Sequence, residues 1–210
     1  MKALVCLDRD GTINIDPGFY GKEDTWKEQL EFYPLAKDGI RMLKQDNRVA
    51  VVVTTNQRGV AQGVFTLERA NEVNAHISKI LASEGVVVDG WYSCPYICKE
   101  EAIRKGVDPG SQWVLDTDLR KPGIGMIREA AKDLGIELNA AKVYAVGDRE
   151  IDVMFGLNAG GKGILVRNGH NKVQNDIVIG MVKDYSGRIF FADNLVQAAE
   201  IILKDIGEAR

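Results

Sequence analysis

Five short apolar runs, each followed by a stretch of helical or loop character, constrain this 210-residue chain more than any other feature. Ala3 to Leu7 and Val49 to Val53 are continuous rather than alternating, as a strand covered on both faces requires. Val86-Val87-Val88 opens a third run toward Trp91-Tyr92, and Val143 to Val146 and Gly163 to Val166 supply two more. Helical spacing falls between them, over Leu35 to Asp46, Thr66 to Glu84, Pro122 to Leu134 and Glu150 to Asn158, with a last helix over Asp193 to Ile206. Strands alternating with helices form βαβ units, so the expected fold is α/β: a doubly wound parallel sheet in three α/β/α layers. Lys99 to Asp118 and Asn168 to Asp184 read as irregular. Gly156-x4-Gly161-Lys162 has P-loop spacing but stands after a helix and before a strand, the reverse of the required order, so it reads as a turn. His76 and His170 have no partner pattern and read as structural.

The balance of 27 basic and 30 acidic residues, net charge −3, gives no general affinity for nucleic acid, and no apolar run approaches the ~18 residues of a membrane span. The N-terminus lacks the apolar region of a signal peptide. Three cysteines, an odd number in a chain of this size, fit a cytoplasmic protein with reduced thiols. One domain over residues 1–210 is the expectation, as a monomer or weak dimer.

Ligands of open α/β sheets bind beyond the carboxyl ends of the strands. Here those ends deliver Asp8-Arg9-Asp10-Gly11-Thr12, Thr54-Thr55-Asn56-Gln57-Arg58 and Gly147-Asp148-Arg149-Glu150-Ile151-Asp152. Converging carboxylates from Asp8, Asp10 and Asp148 repel one another unless a cation joins them, and hard oxygen donors suit Mg²⁺. Lys121, Arg58, Arg120 and Arg149 carry the charge that phosphate oxygens need. Thr55 and Asn56 can donate hydrogen bonds to a transferring phosphoryl group. Residues 8 and 10 sit two apart, so both side chains can face one site with residue 9 turned away. One carboxylate can then attack phosphorus while the other protonates the leaving oxygen and later deprotonates water. The acid role predicts an Asp10 pKa raised above the usual ~3.9.

Asp8-x-Asp10-Gly11-Thr12, Thr55, Lys121 and Gly147-Asp148-x3-Asp152 resemble, in order, the four signatures of the haloacid dehalogenase (HAD) superfamily. The longer matches, Asp8 to Asn14, Thr55-Asn56-Gln57, Arg120-Lys121-Pro122 and Val146-Gly147-Asp148, resemble its histidinol-phosphate and D-glycero-D-manno-heptose 1,7-bisphosphate phosphatases, which have no separate cap domain. The resemblance implies Asp8 as nucleophile, Asp10 as general acid/base, and Thr55 and Lys121 steadying the phosphoryl group. It implies Mg²⁺ on Asp8, the backbone carbonyl of Asp10 and Asp148, with Asp152 either beside the metal or capping its helix. Asp16 to Phe19, Asn56, Gln57, Arg58, Arg120 and Arg149 fall where the heptose enzymes contact substrate. The implied reaction is hydrolysis of a small phosphomonoester through an aspartyl-phosphate, with heptose 1,7-bisphosphate first, and histidinol phosphate or a polynucleotide 3′-phosphate as alternatives.

The resemblance breaks at the family's zinc loop. Cys94-Pro95-Tyr96 has Tyr where the pattern has His, and Thr117-Asp118-Leu119 stands where a Cys pair belongs. A tetrahedral structural zinc needs four N/S ligands. No structural zinc is therefore expected in the 94–120 loop, which must be held by packing through Trp91, Tyr96 and Trp113.

Overall fold

The computed structural model describes residues 2–168 and 172–208; His170 lies outside the described residues. Six strands, β1 (Ala3–Leu7), β2 (Val49–Asn56), β3 (Gly90–Cys94), β4 (Lys142–Gly147), β5 (Lys162–Val166) and β6 (Ile189–Ala192), form one sheet in the order β3-β2-β1-β4-β5-β6. Every neighbouring pair is parallel. The helices are α1 (Ala36–Lys44), α2 (Arg58–Ala61), α3 (Leu67–Ser83), α4 (Lys99–Lys105), α5 (Gly125–Asp133), α6 (Glu150–Asn158), α7 (Lys172–Met181) and α8 (Leu195–Gly207).

The strand pleat sorts the apolar residues into layers. Ala3, Val5 and Leu7 of β1 join the cluster built with α1, α3 and α8, whereas Leu4 and Cys6 join the opposite cluster built with Met126, Ile127 and Ala130 of α5. Burying each Leu or Val in this way contributes about 1.5–3 kcal/mol. Both faces of the sheet are covered, which is the doubly wound three-layer arrangement the apolar runs predict. Strand progression reverses between β1 and β4, so the crevice at their carboxyl ends is the place for a ligand.

Several elements differ from expectation. Val86 to Val88 does not pair; β3 begins at Gly90, because Asp89 fixes the approach by accepting from the Val51 N–H at 2.7 Å and from Lys44. The fifth helix begins at Gly125, not Pro122. Lys121-Pro122 is a cis peptide, and Gly125 N–H closes on the Asp118 carbonyl at 2.7 Å before the helix starts. α7 forms within the stretch expected to be a loop. Only Val178 of that helix is buried while Val173, Ile177 and Ile179 face out, which blurs its periodicity. β6 is a four-residue edge strand, too short to register as a run. Within 99–118 the chain builds α4, capped by Cys98 Sγ, which accepts from Glu101 N–H at 3.4 Å, and ended by the left-handed Gly106. Residues 156–162 do form the helix-to-strand turn.

Candidate active site

Asp8 follows β1 and Asp148 follows β4, so the two carboxylates face each other across the reversal point. Gly11 makes this possible: at φ +91° it takes a backbone shape that favours glycine, and a Cβ there would stand 2.7 Å from the Asp148 carboxyl carbon. Gly147 does the same for the neighbouring acid, since its Cβ would fall 2.3 Å from Asp152 Cβ. One oxygen from each of Asp8, Asp148 and Asp152 lies within 4.8 Å of the others.

Lys121 is nearly fully buried among these acids. Its ammonium donates to Asp8 Oδ1 and Asp152 Oδ1 at 2.6 Å each and to the Thr54 carbonyl at 3.0 Å. Burial alone would depress the Lys121 ammonium, but the Asp152 and Asp8 carboxylates more than offset it and raise its pKa. Burial, helped by Asp152 and Asp148 and opposed by Lys121, pushes the Asp8 carboxyl well above the usual range. Asp148 is pushed up to about 7, first by burial and then by Asp152. Its buried Oδ1 has no hydrogen-bond partner. An oxygen-only donor set with one buried, unpartnered carboxylate oxygen and mutually repelling charge fits Mg²⁺. Asp152 has less freedom: one oxygen takes the lysine and the other accepts the Arg149 N–H at 3.2 Å at the start of α6.

Asp10 departs from expectation. Residue 9 does not merely turn away. The wholly buried Arg9 guanidinium donates to Asp10 at 2.9 and 2.6 Å and to Asn74 of α3 at 2.7 Å. Burial pushes Asp10 up, yet Arg9, with donors from Asn14 and Gln57, holds its carboxyl below the usual value, not above it. Arg9, Asn14 and Asn74 were missed by sequence reasoning. The signal available was an arginine set between two acids two residues past a buried strand, a place where a charge must be paired.

Thr55 is buried and accepts from Gln57 Nε2 at 2.7 Å; the same Gln57 amide donates to Asp10 at 3.0 Å. Gln57 therefore links the acid to the hydroxyl. Asn56 exchanges two hydrogen bonds with the Lys121 backbone, at 3.1 and 3.2 Å, so its amide places the lysine. Asp16 accepts the Gly18 N–H at 2.9 Å, turning the loop so that Phe19 reaches the cleft. The Arg58 guanidinium lies 5.3 Å from the Phe19 ring centre. Phe19, Arg58, Arg120 and Arg149 all line the same cleft of about 200 Å³ as Asp8, Asp10, Thr55 and Lys121. Phe65, which meets Phe19 edge-on with ring centres 6.5 Å apart, is a lining residue the sequence did not single out.

The cysteines are engaged elsewhere. Cys94 is buried with Sγ toward the Tyr96 carbonyl, and Cys98 caps α4. Within the loop Tyr96 and Trp113 meet with ring centres 5.9 Å apart; Trp113 packs on Ile97 and Ala102, and Tyr96 on the cluster of Cys94 and α5. Trp91 belongs instead to the cluster under α3.

A family profile described as HAD-hydrolase-like matches residues 118–182. The D-glycero-beta-D-manno-heptose-1,7-bisphosphate 7-phosphatase of Pasteurella multocida is 35% identical over 170 residues, 80% of this chain and 84% of the relative. The enzyme of that name from Escherichia coli (strain K12) is 34% identical over 166 residues, 79% of each chain. The crystal structure of the D,D-heptose 1,7-bisphosphate phosphatase of B. bronchiseptica, complexed with magnesium and phosphate, superposes with TM-score 0.70 at 28% identity over 98% of this chain and 99% of that one. Fold and site thus define a HAD-type phosphomonoester hydrolase. Within that class, the chain belongs to the D-glycero-D-manno-heptose-1,7-bisphosphate phosphatase family. Among the described residues no helix is long and apolar enough to cross a membrane.

Proposed function

We propose that the chain removes one phosphate from a heptose 1,7-bisphosphate, the substrate class in the names of its relatives, with Mg²⁺ as cofactor. One observation carries the reading: a buried lysine bonded to two carboxylates, beside a third whose buried oxygen has no partner, at the reversal point of the sheet. Asp8 attacks phosphorus; its O–P bond forms as the sugar O–P bond breaks, and Asp10, which must first take up a proton against the Arg9 pair that favours its ionised form, passes that proton to the leaving alkoxide. Water then attacks the aspartyl-phosphate, Asp10 takes its proton, and the Asp8 O–P bond breaks to release phosphate. Lys121 offsets the charge on Asp8 and the phosphoryl oxygens, and the Thr55 hydroxyl donates to them. Asp8, the Asp10 carbonyl and Asp148 would hold Mg²⁺, and Asp152 keeps the lysine and the start of α6 in place. When bound, the ion serves as a Lewis acid and neutralises the like charge of acids and phosphate. Phe19, Arg58, Arg120 and Arg149 receive the rest of the substrate, with Asp16, Asn56 and Gln57 shaping the loops that carry them.

The same reading takes residues 1–210 as one phosphatase domain without a separate cap, its cleft bordered by the loop after β1 and by the 94–120 segment. It places the protein in the cytoplasm, as a monomer or weak dimer. The three free cysteines, two of them buried, support the reducing compartment. Phosphate release is to be measured on D-glycero-D-manno-heptose 1,7-bisphosphate, histidinol phosphate and a 3′-phosphorylated oligonucleotide. The expected order puts the heptose bisphosphate first in kcat/KM; a higher value for either of the others overturns the assignment.

A further inference from the structure

Arg120 stands immediately before the buried Lys121 and lines the cleft. An arginine side chain ordinarily samples many rotamers; this one is tied down. Its Nε and Nη2 donate in parallel to Glu101 Oε2 and Oε1 at 3.1 Å each, and its Nη1 donates to the Tyr96 carbonyl at 3.2 Å. The Arg120 and Glu101 side chains are only 18% and 11% exposed, so the pair is shielded from solvent competition. A guanidinium has five N–H donors. Three are spent on the loop, and two remain for a ligand in the cleft.

Glu101 comes from α4, the helix inside the 94–120 segment, and its own N–H is held by the Cys98 cap of that helix. Tyr96, whose carbonyl supplies the third bond, packs on Trp113 at the base of the same segment. Helix, cap and ring contact therefore converge on the orientation of one guanidinium at the mouth of the site. We propose that Glu101 is a positioning residue for the phosphatase reaction: through the fork-to-fork pair it presets Arg120 to bind the anionic substrate. This rests on Arg120 being a substrate contact, as proposed above.

Geometry and charge predict opposite results when the carboxylate is neutralised. Removing a negative charge near the cleft would strengthen attraction for a phosphate if charge alone mattered, lowering KM. Loss of the bidentate bond frees the guanidinium, which must be ordered again on binding, raising KM. The experiment is steady-state kinetics on the full chain with heptose bisphosphate, for Glu101→Gln, Glu101→Asp, Arg120→Ala and the double variant Glu101→Gln/Arg120→Ala, with melting temperatures alongside. Glu101→Gln is expected to raise KM roughly tenfold with kcat changed less than twofold, Glu101→Asp to recover part of the loss, and the double variant to match Arg120→Ala. An unchanged or lower KM in Glu101→Gln, while Arg120→Ala raises KM, overturns the positioning role alone. An unchanged KM in Arg120→Ala overturns the substrate contact and the positioning role with it. A lower melting temperature in Glu101→Gln with unchanged KM shows a staple of the loop and also overturns the proposal.

Discussion

In the proposed mechanism Asp8 carries the nucleophilic step, on a carboxylate whose Oδ1 already accepts from Lys121. Asp8→Asn keeps the shape and removes the attacking charge. Turnover of any phosphomonoester is expected to fall roughly 10³-fold or more with an unchanged melting temperature. Asp10→Asn leaves phosphoryl transfer from acidic leaving groups and slows water attack, by roughly 10²–10⁴-fold. Rapid quenching should then trap a phosphorylated enzyme, and equal losses on acidic and basic leaving groups without accumulation would refute the role. Gly11 offers a third test, because a Cβ there would press on the Asp148 carboxyl at 2.7 Å. Gly11→Ala is expected to raise the Mg²⁺ concentration for half-maximal activity by roughly 10–100-fold, read by a metal titration.

At the scale of elements, the end of the sheet opposite the cleft is fastened by one acid. Asp205 of α8 accepts from Lys162 at 2.6 Å, from Lys142 at 3.1 Å and from the Tyr144 hydroxyl, joining the last helix to β4 and β5. Partial burial raises its pKa, but Lys162, Tyr144 and Lys142 lower it further, to about 2. A carboxyl depressed on folding contributes stability that is present above its unfolded pKa of ~3.9 and is lost as pH falls through about 2. Asp205→Asn is expected to cost about 1–2 kcal/mol at neutral pH, discounted for partial exposure, with the deficit shrinking between pH 4 and 2 in denaturant titrations. The 94–120 segment makes the contrasting prediction. With Cys94 facing a carbonyl and Cys98 capping α4, a chelator is expected to leave the melting temperature unchanged, and elemental analysis to find no stoichiometric zinc.

For the whole molecule, Mg²⁺ links site to fold. The clustered acids repel one another at the seam between β1 and β4, so an ion that binds only the folded chain stabilises it, by about 2.7 kcal/mol at a hundred times its Kd. Adding Mg²⁺ is expected to raise the melting temperature in a concentration-dependent way, and a chelator to abolish turnover until Mg²⁺ is restored. An activity indifferent to both would exclude the metal role.

The sequence by itself determined the layers and the rim of the site. Doubly buried strands must be apolar at every position, so β1, β2, β4 and β5 announce themselves, and a carboxylate directly after such a run is visible without any knowledge of packing. For α8 the sequence offers Asp193 or Asn194 as cap, and Asn194 takes the place; Thr66, read as the first residue of its helix, caps α3. What depends on partners distant in the chain was decided only in three dimensions. β6 and α7 are stabilised by covering neighbours rather than by periodicity of their own. The protonation of Asp10 follows from Arg9 folding back between β1 and Asn74, 65 residues away, and the aim of Arg120 follows from Glu101, 19 residues away. Local residue pattern fixes which groups reach the crevice, because strand pleat and burial are nearest-neighbour properties. Which charge each group holds, and where it points, depends on desolvation and pairing that exist only once the layers close.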